Sequence, residues 1–452
     1  MEAVSASDKK SKQLYRTLWR WHFYAGVFAI PFVIILAITG SLYLFKPQLD
    51  AIHDAPYRNL ALNGDRSTPE QQVAAAIAAV PNSKFVAYEL PREQSDAVNI
   101  LLNQHGEKIR AYVHPNNLQV LLVEQEEKRF LRIVHDIHGE LLLGKTGSIL
   151  VELAACWAIV LVLTGIYLWW PRNAKGIAGV LYPRLSFKGR LFWRDLHSVI
   201  GIWISFFVLF LLLSGLPWTL VWGSAFKEVR ELTGTSAVQQ DWVNAGRKNT
   251  ADQHSHDHSA HEDHAEHQAD MNGVNTKAAS LNKIVAGAQN LQLAYPVLIS
   301  PPSAKSPDWS AKSNAQNRPL RADAYFSATS GELTRQQHFS QRHMIDRAVG
   351  IGVAAHEGQL FGWLNQLLGL LTAMGLIALS ISGFIMWRKR APQSALGAPP
   401  AMPEAKIGMG FVIIIFAAAI LLPVLGASLI VIFLLEKILF SRWTKARIWL
   451  GL

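Results

Sequence analysis

Five runs of this chain are apolar for long enough to cross a membrane as helices: Phe23–Phe45, Ile149–Trp170, Val199–Val221, Phe361–Trp387 and Ile407–Leu435. About twenty such residues span the ~30 Å hydrocarbon core, where every backbone N–H and C=O must be satisfied internally. The class that follows is a mainly α integral membrane protein. The fifth run is long for one crossing and is interrupted by "LLPVLGAS". Pro423 and Gly426 there either kink one helix or turn a hairpin. Basic residues at both ends (Lys406, then Arg442, Lys445 and Arg447) favour the hairpin, and so six spans over five.

Positive charge orients the spans. Lys9, Lys10, Lys12, Arg16 and Arg20 precede the first one, which places the N-terminus in the cytoplasm. Pro171–Arg190 holds Arg172, Lys175, Arg184, Lys188 and Arg190 with no acid, and "WRKRAP" follows the fourth span. All three sites share one side if the spans alternate. The long hydrophilic segments Lys46–Ser148 and Trp222–Leu360 then lie outside. The first run is too long for a cleaved signal and is read as an anchor. The expected division is a cytoplasmic tail 1–21; a first span 22–45; an external module 46–137; a second span with its approach 138–170; and a cytoplasmic loop 171–196. The second half repeats this with a span 197–221, a module 222–355, and a span with its approach 356–387. A loop 388–406, a hydrophobic helix or hairpin 407–441 and a tail 442–452 complete it.

The net charge of +10 and pI near 9.6 would suggest nucleic acid in a soluble protein. Here much of that charge flanks spans, so the expected partner is the lipid bilayer and not nucleic acid. Cys156 is the only cysteine, which excludes an internal disulfide, a thiolate cluster and a CxxC pair.

The spans repeat. "WHFYAGVFAIPFVIILAITG" has His22, then Gly26 four residues on and Gly40 eighteen on; "LHSVIGIWISFFVLFLLLSG" has His197, Gly201 and Gly215 at the same spacings. His138, Gly144, Gly165 and Trp169 are matched by His356, Gly362, Gly383 and Trp387 at +6, +27 and +31. Each half is span, external segment, span, so the repeat is parallel, with a pseudo-twofold axis along the membrane normal. "AYVHPNNLQVLLV" and "AYFSATSGELTRQ" both read as strand, turn, strand. Each follows a helical pattern, "PEQQVAAAIAAV" or "LNKIVAGAQNL", which predicts a small α+β module in each half.

The repeat sets four histidines at two depths: His22 and His197 at the cytoplasmic start of a span, His138 and His356 at the external approach to one. A histidine at a membrane interface is most often an edge residue. Four at repeat-matched positions point to ligation. Two imidazoles complete a six-coordinate haem iron, and glycines give a flat macrocycle room between helices. Gly26 and Gly201 lie one turn past a histidine. Gly40 and Gly215 lie five turns past one on the same face, about 27 Å along the axis. Two stacked b-type haems, each bis-histidine, would carry electrons across the bilayer. His135 competes with His138 but has no counterpart, since Val353 takes its place. The glycines could equally serve helix packing. Trp19, Trp21, Trp169, Trp170, Trp218, Trp222 and Trp387 read as an interfacial belt, and Arg20 and Arg194 as orientation signals before propionate partners.

"HSHDHSAHEDHAEH" adds a low-complexity tract with His254, His256, His258, His261, His264 and His267 among acids. Such tracts bind Zn, Cu, Ni or Fe ions with modest selectivity, but cannot hold a macrocycle.

These residues resemble the PepSY-associated transmembrane family of bacteria over nearly the whole chain, through "RWHFYAG", "HDIHGELLLG", "RDLHSVIGIW", "LPWT", "HEGQLFG" and "SGFIMWRKR". The external segments look like PepSY domains. Members are often described as iron-regulated, and some are inner-membrane ferric-siderophore reductases that bind haem through transmembrane histidines. The resemblance implies His22, His138, His197 and His356 as ligands. The expected activity is one-electron reduction of a periplasmic ferric complex, a ferric siderophore first of all, which releases Fe2+. No GxGxxG follows a strand, so a quinol or a separate reductase must supply the electrons. The alternatives are a reductase of copper or another metal, a transporter, and a non-catalytic regulator. Against the transporter, charged residues within the spans are scarce, Glu152 being the clearest.

Overall fold

The computed structural model describes residues 6–172, 176–235, 279–303, 306–390, 395–399, 409–440 and 442–451. The chain folds as two compact units: Met1–Lys46, Ile133–Gly246 and Gly352–Leu452 form the first, Pro47–Arg132 and Arg247–Ile351 the second.

The first unit is helical. Its core is α1 (Ala6–Leu44), α5 (Gly144–Trp169), α6 (Gly189–Gly215) and α10 (Trp363–Arg390), which pack in the cyclic order α1–α5–α6–α10. All four are long and apolar enough to cross a membrane. α1 and α6 never adjoin in this ring and neither do α5 and α10, which is the twofold arrangement the repeat predicts. Two shorter helices, α4 (Phe130–Glu140) and α9 (Met344–His356), begin in the second unit, end in the first and lead into α5 and α10. Gly144 and Gly362, matched in the repeat at +6 from a histidine, both hold φ near +60° where those helices begin. An L side chain is strained there, so the glycine turns the chain into the next span.

The C-terminal run divides at Leu422 into α11 (Met409–Leu421) and α12 (Pro423–Leu434), continued by a π-helical turn to Phe440 and by α13 (Thr444–Leu450). Trp222, just past the C-terminal end of α6, donates Nε1–H to the Leu421 carbonyl at 3.0 Å. Arg20, near the start of α1, donates to the Pro399 and Gly451 carbonyls, and Tyr24 to Leu450 at 2.6 Å. The run therefore reverses at the Trp222 end of the bundle, with its flanks at the Arg20 end. Pro423–Phe440 is a fifth helix of crossing length, and Val412–Leu421 is shorter. Glu152, fully buried in α5, accepts the backbone N–H groups of Val221 and Trp222 at 2.9 and 3.0 Å. It thus satisfies the free N–H groups that open α7 (Leu220–Leu232), a structural use for a charge within a span.

The second unit contains α2 (Lys46–Asp54), α3 (Pro69–Ala79), β1 (Ser83–Glu89), β2 (Val98–Gln104), β3 (Glu107–Val113) and β4 (Val120–Gln125). α8 (Leu281–Asn290), β5 (Val297–Ser300), β6 (Trp309–Ser313), β7 (Ala322–Phe326) and β8 (Leu333–His338) follow. Helix starts are written in the sequence. Thr68 accepts from Gln71 N–H while the Gln71 side chain returns to Thr68 N–H, and Ser280 accepts from Lys283 N–H.

Two separate modules were the sequence expectation. The strands instead form one antiparallel sheet, β4-β3-β2-β1-β5-β6-β7-β8, joined where Tyr88 faces Ile299 and Glu89 faces Leu298. Each module alone would leave β1 or β5 as an open edge, and joining them closes both. The core is correspondingly single: Val98, Ile100 and Leu102 pack with Val297, Ile299, Ala111 and Ala324 beneath α3 and α8. Ile299 is fully buried at the seam. Ile299→Ala is expected to cost about 2–5 kcal/mol, read as a lowered unfolding midpoint of the full chain. Val123→Ala, at a residue 43% exposed on outer strand β4, should change it little.

Candidate functional site

Each of the four repeat histidines docks its ring edge on a glycine of a neighbouring helix. A Cβ added to Gly165 of α5 would stand 3.2 Å from Cε1 of His22, and one at Gly383 of α10 would stand 3.5 Å from Cε1 of His197. Likewise a Cβ at Gly40 of α1 would meet His138 at 3.2 Å, and one at Gly215 of α6 would meet His356 at 3.5 Å. The residue before each glycine is a hydroxyl bonded to Nδ1: Thr164 to His22 at 3.0 Å, Ser382 to His197 at 3.0 Å, Thr39 to His138 at 3.0 Å and Ser214 to His356 at 2.9 Å. Three residues before each hydroxyl stands a leucine (Leu161, Leu379, Leu36 and Leu211 respectively), and the Leu379 carbonyl also bonds His197 Nδ1 at 3.1 Å. The seat is thus Leu-x-x-[Thr/Ser]-Gly, written once in every core helix.

This seat selects one tautomer. At His197 the Leu379 carbonyl can only accept, so Nδ1 must carry the hydrogen. The hydroxyls agree, because each donates its own hydrogen to a carbonyl one turn back; Thr164 bonds Val160 at 2.6 Å and Thr39 bonds Ile35 at 2.8 Å. Nε2 of all four rings is left with its lone pair, the arrangement of a metal-ligating imidazole steadied through its other nitrogen.

One pair of these rings meets directly. Those of His22 and His197 have centroids 6.3 Å apart and planes at 88°. Two imidazole–metal bonds of about 2 Å, with about 1.1 Å from each ring centre to its nitrogen, span about the same distance. At the other level His138 is within electrostatic reach of His356. No group of three or more His, Cys, Asp or Glu side chains could hold a metal ion among the described residues. Two-imidazole sites suit a metal that brings its own equatorial ligands, as haem iron does, better than a zinc ion that draws three or four from the protein.

Several sequence expectations change. Gly40 and Gly215 do not stand open to a macrocycle; they receive the His138 and His356 rings, because an imidazole edge needs the space a Cβ would fill. Cβ atoms at Gly26 and Gly201 would touch Leu161 and Leu379 at 3.8 and 3.7 Å, which is ordinary packing. His135 has no such seat: its Nδ1 faces Asp136 at 3.2 Å and its ring lies beside Tyr43. Arg194 bonds Asp195, together with Arg184, while Arg20 holds the C-terminal carbonyls. Trp169 and Trp387 bond the Val180 and Leu396 carbonyls of the loops that follow them, so they close loops as well as flanking a span. His254, His256, His258, His261, His264 and His267 lie outside the described residues. The hydroxyls Thr39, Thr164, Ser214 and Ser382 were missed, although "TG" or "SG" at each repeat glycine was a visible signal.

Compared with known families, residues 19–390 match the PepSY-associated TM region. The chain belongs to the PepSY-associated transmembrane family. That match takes in all four seats and both halves of the sheet, while the α11–α13 segment lies beyond it. A search of curated proteins finds no match. As a family member with five helices of crossing length, the chain is a multi-pass membrane protein.

Proposed function

We propose that this PepSY-associated protein is a transmembrane haem-b electron conduit that reduces a ferric complex, first of all a ferric siderophore, on the periplasmic face of the bacterial inner membrane. The observation that carries this reading is the fourfold Leu-x-x-[Thr/Ser]-Gly seat with the 6.3 Å His22–His197 pair. With the N-terminus cytoplasmic, His22 and His197 would hold one haem at the inner side, and His138 and His356 a second at the outer. Haem, when bound, supplies a one-electron couple, and Fe3+ chelators hold Fe2+ weakly, so reduction frees the metal without acid–base catalysis. The chain's own part is positional: the seats hold the Nδ1 proton, fix each ring's rotation and keep Nε2 free. A quinol or a separate reductase is the proposed electron source. In the test, haem-loaded protein is reduced and mixed without oxygen with a ferric siderophore. The reading requires haem reoxidation with matching Fe2+ release; haem that stays reduced with no Fe2+ contradicts it.

The seat also predicts potentials. Thr164→Val removes the hydroxyl acceptor of His22 Nδ1–H, which lowers the electron donation of that imidazole. The inner haem should become easier to reduce, by about tenfold in its Fe2+/Fe3+ ratio at fixed poise, or about 59 mV for one electron. Thr164→Ser should restore the original potential in a redox titration.

A further inference from the structure

Within the second unit, a cavity of about 370 Å3 opens between the turn Arg318–Leu320, the turn Phe339–Gln341 and the first half of α9. Leu320, Arg321, His338, Ser340, Arg347 and Ile351 line it, and no carboxylate does. Arg321 is steadied by donating Nε–H to the Ala315 carbonyl at 2.7 Å. Arg347 is exposed and forms no ion pair among the described residues. Of the nearby acids, Asp323 pairs with Arg342 at 3.2 Å and Asp346 is buried. Leu320 and Ile351 are 59% and 42% exposed and give the cavity an apolar rim.

The two repeated modules differ in charge. Leu281–Ile351 has eight basic and four acidic residues, whereas Pro69–Arg132 has seven and eight. The strand-bearing part of the second module, which holds the cavity, is therefore the more basic of the two. Guanidinium forks recognise carboxylates and other oxyanions, and an apolar rim suits the organic frame that carries them.

We propose that this cavity binds the substrate of the reduction as an anionic organic chelate of Fe3+, one whose free carboxylate or catecholate oxygens meet Arg347. The inference rests on the proposed reduction for its metal, and its test is kept independent of electron transfer. Gallium(III) replaces iron as a redox-inert probe. Full-length protein in nanodiscs of neutral lipid is titrated with gallium citrate, which is anionic, and with a cationic gallium trihydroxamate.

The anionic chelate should bind at least about tenfold more tightly. Arg347→Glu, at an exposed position, should remove that preference, and Arg347→Lys should keep most of it. Equal affinity for both chelates, or an unchanged preference in Arg347→Glu, overturns the proposal. Competition from anionic lipid in the nanodisc would assign the cavity to a lipid headgroup and overturn it as well. Retained gallium binding in a protein that reduces no ferric complex would refute the electron conduit and leave this site standing.

Discussion

His22→Ala and His197→Ala are each expected to remove the same haem, lowering the content from two per chain to one and reducing electron transfer through the protein to background. The rings are 6.3 Å apart with Nε2 free on both, so under the proposed function either loss would leave the group they hold with one imidazole instead of two. Residues that act as a unit are non-additive, so the double variant should lose no more than either single one. His138→Ala and His356→Ala should form a second such set, and His22→Ala combined with His138→Ala should lose both haems. Haem content by pyridine haemochrome assay, with spectra of each variant, distinguishes the sets. If His22→Ala and His138→Ala instead behaved as one set, the pairing by depth would be wrong.

The second large effect is expected at glycines that touch no cofactor in this account. In Gly165→Val, a Cβ 3.2 Å from His22 Cε1 and two further methyls would fill the space of the imidazole edge. Overpacking of this kind costs about 1–3 kcal/mol, and the displaced ring also loses its bond to Thr164. Haem affinity at the inner site should fall by roughly tenfold or more, with the outer haem unchanged. Gly26→Ala is the control, since its Cβ would make only ordinary contact with Leu161 at 3.8 Å. Equal haem retention in both variants would separate the seat from ligation.

Much of this architecture is legible in the residues. The apolar runs are long, and the repeat spacings are identical, so the spans and the histidine pairing are local or periodic properties. The strand–turn–strand segments and the capped helices α3 and α8 are local too. Contacts between distant segments were not legible. The seam of Tyr88 with Ile299 and Glu89 with Leu298 is made by two edge strands over 200 residues apart, and no periodicity encodes it. The seats were half legible. Gly165 and Gly383 stood out as repeat positions, but whether a glycine makes room for a macrocycle or for a histidine depends on which helix lies opposite. The hydroxyl before each glycine passed as an ordinary polar residue in a span, and only its bond to Nδ1 shows what it does.

The most direct measurement is the visible spectrum of the purified, haem-replete protein before and after reduction. Low-spin haem b bands that sharpen on reduction, at two haems per chain, are expected in protein whose four histidines are intact. A preparation from haem-replete cells that shows no such bands, or takes up haem only in a five-coordinate form, would contradict it.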